Sequence, residues 1–287
     1  MKIVTDMAAD IAADQLKDLD IFYAPLRITL SGKTYTSGVD LDSDAFYKML
    51  GNTDDYPTTS QPSAGEFASI YRSLAQTDPD ILSIHVSSGL SGTLDAARQG
   101  AEMVPEAKVT FFDSLTLSAP LGWQVELAAR AVRAGWSKEK IIKRLEEIRQ
   151  KAEGIYTLPM LKYLIHGGRI SHMKGLLASV LNIKPIITVD KDQGKYFMSG
   201  QEITFKRAIN RMADLVTHFF PEGTPLRVQP LHSNNLEGIE LMRQRLNQLF
   251  PCTYMQTLPI APVLGAHTGP GLVGMAFGPA SLWESMP

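Results

Sequence analysis

From Lys2 to Phe277 the chain alternates short apolar runs of strand length with longer runs whose apolar residues recur at helical spacing. That alternation constrains the fold more than any other feature. Strands and helices that follow one another in this way assemble as layered α/β sheets rather than as separate β and α blocks. Residues 2–5 predict a first strand, followed by an amphipathic helix carrying Ile11, Leu16 and Leu19. Residues 21–30 predict a second extended segment, turned by Ser31-Gly32-Lys33. Residues 81–86 and 108–112 are compact apolar strands, each followed by a turn and a helix, the punctuation of βαβ units. Asp42 or Ser43 suits the start of a helix with Phe46, Tyr47 and Leu50, and Ser63 with Glu66 forms a capping-box pattern.

A helical signal from 137 to about 151 breaks at Gly154, which predicts a first domain over 1–153 and a second over 154–287. The second half alternates again, with strands expected at 183–189 and 225–231 and helices at 205–220 and 236–250. Two further strand-like stretches flank a glycine-rich turn at 265–274. With 287 residues, each domain is large enough to bury a core. The expected architecture is two α/β domains, the first Rossmann-like.

Charge and cysteine content narrow the function. Lys and Arg number 28 against 30 Asp and Glu, a net charge of −2 that offers no general attraction for nucleic acid. Cys252 is the one cysteine, so neither an internal disulfide nor a cysteine-based metal cluster is possible, and a single thiol fits a reducing cytosol. The six histidines are scattered, and no metal site is expected. No apolar run approaches the roughly 18 residues that cross a bilayer. The N-terminus carries Asp6, Asp10 and Asp14 in place of a signal-peptide core, so a cytoplasmic protein without stable membrane insertion is expected.

Two nucleotide motifs fail. Gly269-Pro270-Gly271-Leu272-Val273-Gly274 matches G-x-G-x-x-G literally, but it has no following helix and no acid about 20 residues on. Gly32-Lys33-Thr34 lacks the earlier glycine of a phosphate loop, with Arg27 in its place. Gly89-Leu90-Ser91-Gly92-Thr93 departs from a hydrolase nucleophile elbow at Thr93, where the sharp turn needs glycine. A set of Ser91, Asp113 and His267 keeps a serine hydrolase as an alternative.

Three small-polar loops survive. They are Pro57-Thr58-Thr59-Ser60-Gln61-Pro62-Ser63, Ser87-Ser88-Gly89-Leu90-Ser91-Gly92-Thr93 and Leu264-Gly265-Ala266-His267-Thr268-Gly269-Pro270-Gly271. Loops beyond strand ends that open helices present free N–H groups beside hydroxyls, which suits an anion. The same residues also serve as plain caps and turns. In Gly167-Gly168-Arg169-Ile170 the glycines suit a left-handed helix stop. Arg169 either grips a carboxylate or phosphate or simply complements the helix end.

These residues resemble the DegV family. The resemblance rests on Asp6, the 57–63 loop, Ile84-His85-Val86-Ser87-Ser88-Gly89-Leu90-Ser91-Gly92 and Phe112-Asp113-Ser114. It continues through Gly167-Gly168-Arg169-Ile170, Leu181-Asn182-Ile183-Lys184-Pro185 and His267-Thr268-Gly269-Pro270-Gly271. Met7 stands where the family usually has Ser. The resemblance implies a non-catalytic bacterial fatty-acid-binding protein without a cofactor, its acyl chain in a tunnel between or beneath two α/β domains. It implies that Thr59, Ser60, Ser88, Gly89, Ser91 and His267 hold the carboxylate, with Arg169 stabilising phosphate or contacting a partner. Some family members present the lipid to a separate ATP-dependent kinase subunit that forms an acyl phosphate; a plain storage or transport carrier is the other possibility.

Overall fold

The structure, a computed structural model, describes residues 1–172, 182–284 and 286. Leu181 of the motif quoted above lies outside the described residues. The first half contains β1 (Lys2–Asp6), β2 (Ile21–Ala24), β3 (Arg27–Leu30), β4 (Lys33–Thr36), α1 (Ser43–Leu50), β5 (Thr58–Ser60) and α2 (Ala64–Ala75). It continues with β6 (Asp80–His85), α3 (Thr93–Glu102), β7 (Lys108–Asp113), α4 (Ser118–Arg133) and α5 (Lys138–Lys151). The strands β2-β1-β6-β7 form a four-stranded sheet in which every pairing is parallel. Parallel strands covered on both faces read as unbroken apolar runs, and β6 is buried from Ile81 to His85.

Two expectations fail here for local reasons. Residues 11–19 form turns rather than a helix. Side chains claim the amides a helix would use: Asp6 Oδ1 accepts from Ala8, Gln15 Oε1 from Ala12 and Asp14 Oδ1 from Gln15. The extended segment expected over 21–30 divides at Pro25, which has no N–H to continue a ladder. Beyond it, β3 joins β4 and β5 in a separate three-stranded antiparallel sheet. The 57–63 segment is therefore an edge strand flanked by its two prolines. Capping follows expectation: Asp42 accepts from Ala45, and Ser63 with Glu66 completes the capping box.

The second half contains β8 (Glu153–Thr157), α6 (Lys162–His166), β9 (Lys184–Val189), β10 (Tyr196–Glu202), α7 (Phe205–Asp214) and β11 (Leu226–His232). After these come α8 (Leu236–Leu246), β12 (Cys252–Tyr254), β13 (Leu258–Pro259), α9 (Pro262–Thr268) and β14 (Val273–Pro279). They build a mixed sheet of order β10-β9-β8-β14-β11-β12, with β13 also on β11. The pairings from β10 to β11 are antiparallel, and only β12 and β13 run parallel to β11. The stretch expected as strand and turn before β14 is instead largely the helix α9. Pro262 starts it with a preset φ and no wasted N–H. Gly269 and Gly271, at φ 71° and 90°, turn the chain into β14.

Helix α4 lies between the two large sheets, packing on β1 and β6 from one side and on β8 and β14 from the other. It is apolar almost all round, as a helix sandwiched between sheets must be, and Leu121, Trp123, Val125, Leu127 and Ala128 are fully buried. One continuous apolar core runs from Ile3, Ile84 and Phe112 through these residues to Ile187 and Ala276.

Candidate functional site

The ends of β5 and β6, the loop after α6 and the last turn of α9 converge on a cavity of about 290 Å³. Its polar side is formed by Thr59, Ser60, Gln61, Ser91, Arg169 and His267. Its apolar side is formed by Leu26, Val86, Leu90, Leu117, Tyr196 and Leu264, among others. Of the residues singled out in the sequence, Thr59, Ser60, Ser91, Arg169 and His267 are brought together here.

His267 is held through one ring nitrogen. Its Nε2 shares a hydrogen bond of 2.9 Å with Thr59 Oγ1, and its Nδ1 is buried with no hydrogen-bond partner among the described residues. Burial, and then the nearby Arg169 guanidinium, push the imidazole down to about 3, so at neutral pH it is an uncharged ring. Gly167 makes this position possible, because a Cβ there would lie 2.2 Å from His267 Nδ1. Gly168 then adopts φ 76°, the left-handed stop expected of the motif. Arg169 Nη1 donates to the Gly167 carbonyl at 2.7 Å while its side chain lines the cavity.

Ser88 and Gly89, expected at the carboxylate, are not among the residues that line the cavity. Ser88 is exposed, and Asp113 captures its hydroxyl at 2.5 Å. Gly89 is pressed against the β9–β10 turn, where an added Cβ would lie 2.3 Å from the Gln193 carbonyl oxygen. The same hydrogen bonds disperse the serine-hydrolase set. Asp113 serves Ser88, Ser91 shares its hydrogen bond with Thr93 at 2.8 Å, and His267 meets Thr59. A triad needs the acid on the second ring nitrogen of the base, and here that nitrogen has none.

A second, apolar cavity of about 30 Å³ lies behind the first, lined by Leu158, Leu164, Ile187, Ile260 and Leu272 among others. Leu117, Tyr196 and Leu264 line both and form a neck between them. Burial pushes the Tyr196 phenol up to about 12, so it meets the neck as a neutral ring.

Gln61 and Tyr196 were not foreseen as cavity residues, and Gly167 was expected only as part of a helix stop. Gln61 sat inside a quoted motif, and its amide donates to the Gly92 carbonyl at 3.1 Å. Tyr196 had no motif at all. A further buried chain runs from Tyr71 through Ser83 and His85 to Asp6, with links of 2.8, 2.7 and 3.0 Å. Asp6 also accepts the N–H groups of Ala8 and Val86, both cavity-lining residues, so it fixes two stretches of the wall. Met7, beside it, packs against the apolar core. Among the described residues no group of three or more histidine, cysteine or acidic side chains is placed to hold a metal ion, and no helix is long and apolar enough to cross a membrane.

Fold and site together define a class: an α/β protein with a parallel sheet, and a cavity with a hydroxyl- and arginine-bearing mouth above an apolar recess. A family model described as "Uncharacterised protein, DegV family" matches residues 1–280. The chain belongs to the DegV family. A DegV domain-containing protein of Staphylococcus aureus is 34% identical over 273 residues, covering 95% of this chain and 96% of the relative. Protein DegV of Bacillus subtilis is 31% identical over 277 residues, covering 96% and 98%. The structure of a fatty-acid-binding DegV family protein from Thermus thermophilus matches with a TM-score of 0.86 at 27% identity, covering 97% of this chain and 99% of that one. The fatty-acid-binding DegV structure from Bacillus subtilis matches at 0.85 with 29% identity over 97% and 98%. The Streptococcus pneumoniae fatty acid kinase B3 protein, loaded with linoleic acid, shares the fold at a TM-score of 0.81 and 19% identity, over 96% and 98%.

Proposed function

We propose that this protein binds a long-chain fatty acid, holding the carboxylate among Thr59, Ser60, Ser91 and His267 and passing the chain through the Leu117–Tyr196–Leu264 neck. The observation that carries this reading is that an apolar recess adjoins the polar mouth, with Leu117, Tyr196 and Leu264 lining both. The fatty acids bound by the Thermus and Bacillus relatives support it.

Burial of about 15 methylenes at ~0.8 kcal/mol each contributes roughly 12 kcal/mol before the costs of association. Hydrogen bonds to the carboxylate add about 1.5–3 kcal/mol each. Apolar burial therefore supplies most of the affinity, and the mouth decides which end of the lipid faces outward. Arg169 brings a permanent cation to that end, while neutral His267 offers a ring nitrogen without a competing charge.

The chain carries no phosphate loop of its own, so chemistry on the exposed carboxylate falls to a separate ATP-dependent kinase that would form an acyl phosphate. The protein acts by positioning, and Arg169 stabilises the added phosphate or meets the partner. Native mass spectrometry of purified protein, followed by extraction of any bound lipid, tests the first part. A mass increment resolved as a fatty acid is expected; protein that carries none and takes none up from micellar oleate sinks the reading. Acyl-phosphate formation on adding a fatty-acid kinase subunit and ATP tests the second, and its absence with a cognate kinase leaves a storage or transport carrier.

A further inference from the structure

The recess behind the neck has about 30 Å³, far too little for a long acyl chain. A long acyl chain enters only when its walls part. Two helix starts form much of those walls. Leu117 and Ser118 open α4, while Ile260 and Leu264 flank the start of α9.

Both helix starts are tied to one buried side chain that the binding reading does not use. Asp10 is 7% exposed. Its Oδ2 accepts the Ser118 hydroxyl at 2.5 Å, and its Oδ1 accepts the Ala261 N–H at 2.8 Å. Helix α9 has no capping side chain of its own. Its first amides are served from the other half of the chain, by Asp10 and by Ser37, whose Oγ accepts from Val263 at 3.2 Å. The Asp10 backbone is in turn clamped by α4, since a Cβ on Gly122 would lie 2.4 Å from the Asp10 carbonyl oxygen. One carboxyl group thus bridges the two walls, and α9 carries His267 at its far end.

We propose that Asp10 is a positioning residue that latches the acyl recess shut, so that its links to Ser118 and Ala261 set the rate at which a chain enters and leaves. This rests on the fatty-acid reading and goes beyond it. Asp10 stands outside the residues that line the two cavities, so its carboxyl raises the barrier between empty and filled states and touches the ligand in neither, whereas Ser118 lines the recess. Loosening the carboxyl's hold therefore speeds both directions and leaves the equilibrium nearly unchanged. A residue needed only for folding, or one that contacts the lipid, would shift affinity instead.

Stopped-flow fluorescence with cis-parinaric acid tests this on the full chain. Asp10→Asn keeps an acceptor for Ala261 but exchanges the carboxyl oxygen that Ser118 donates to for an amide N–H₂. Ser118→Ala removes the same link from the other side and leaves the carboxyl in place; because Ser118 lines the recess, its rates and not its Kd are the readout. Each variant should raise the association and dissociation rates by about tenfold, the loss of one hydrogen bond from a barrier, and Asp10→Asn should change Kd less than about threefold. The double variant should add little, because both substitutions act on one link. Bound parinarate with unchanged rates in Ser118→Ala overturns the latch, as does a change in Asp10→Asn confined to dissociation with a matching rise in Kd. Wild-type protein that takes up no parinarate overturns the fatty-acid reading and the latch with it.

Discussion

Ser87 donates its hydroxyl to the Gly194 carbonyl at 2.7 Å, across 107 residues of sequence. The bond seats the β9–β10 turn on the turn after β6, and the two backbones approach closely. A Cβ on Gly194, at φ 64°, would lie 2.0 Å from Ser87 Oγ, and one on Gly89 would lie 2.3 Å from the Gln193 carbonyl oxygen. The glycine in the Ser-Ser-Gly run thus admits a neighbouring backbone. Gly89→Ala should destabilise the fold by about 1–3 kcal/mol, the usual cost of forcing a methyl into filled space. Urea titration measures it, and a midpoint equal to wild type would contradict the packing described.

Thr59→Val and Ser91→Ala remove mouth hydroxyls and leave the apolar recess intact. Each should lower acyl-phosphate formation with a cognate kinase about tenfold or more, while co-purified lipid falls less than about threefold, because burial of the chain keeps the site nearly saturated even when one hydrogen bond to the carboxylate is lost. Thr59→Val also strips His267 of its Nε2 partner. Extracted lipid per protein and product formation, measured on one preparation, check the division. Equal losses in both would count against it.

Arg169→Gln removes the cation of the mouth while keeping polar reach. Affinity for a fatty acid should fall about 10- to 100-fold, the worth of a charge-assisted hydrogen bond, and affinity for the fatty alcohol of equal length should stay within about threefold. Competition against a fluorescent fatty acid reads both. If acid and alcohol weaken alike, Arg169 acts on the channel and not on the charge.

The buried neutral His267 links stability to acidity. The unfolded chain takes up a proton on this histidine below about 6.5, whereas the folded chain does so only near 3. Protons therefore favour the unfolded state in that window, and the contribution of the neutral ring is present above it and lost as pH falls. Asp10 and Glu153, both raised to about 7 by burial, work in the opposite sense, but they are common to wild type and variant. The stability of wild type relative to His267→Gln should thus shrink on acidification by up to about 1.4 kcal/mol per pH unit. Urea titrations at about pH 7.5, 6 and 5 supply the comparison, and parallel losses in the two proteins would rule out a buried neutral imidazole.

Features whose causes lie within a few residues were legible in the chain itself. The strands β6 and β7 announced themselves as apolar runs because parallel strands are covered on both faces, and the Ser63–Glu66 capping box is closed over three residues. Thr59, Ser91, Arg169 and His267 stood out as motif residues, and the cavity gathers them.

Tertiary structure alone decided what distant partners decide. Ser88 and Ser91 look alike in sequence, yet Asp113 captures one hydroxyl while the other lines the cavity. The residues of α9 read as strand and turn because its first amides are capped by Asp10 and Ser37, far away in the chain. The helix expected over 11–19 is absent because polar side chains there take backbone amides, while Gln15 is also drawn into a buried contact with Glu126 at 2.7 Å. Hydrophobic pattern specifies which elements form; only their packing specifies which polar groups are left over to meet a ligand, because each buried donor and acceptor must first be matched within the fold.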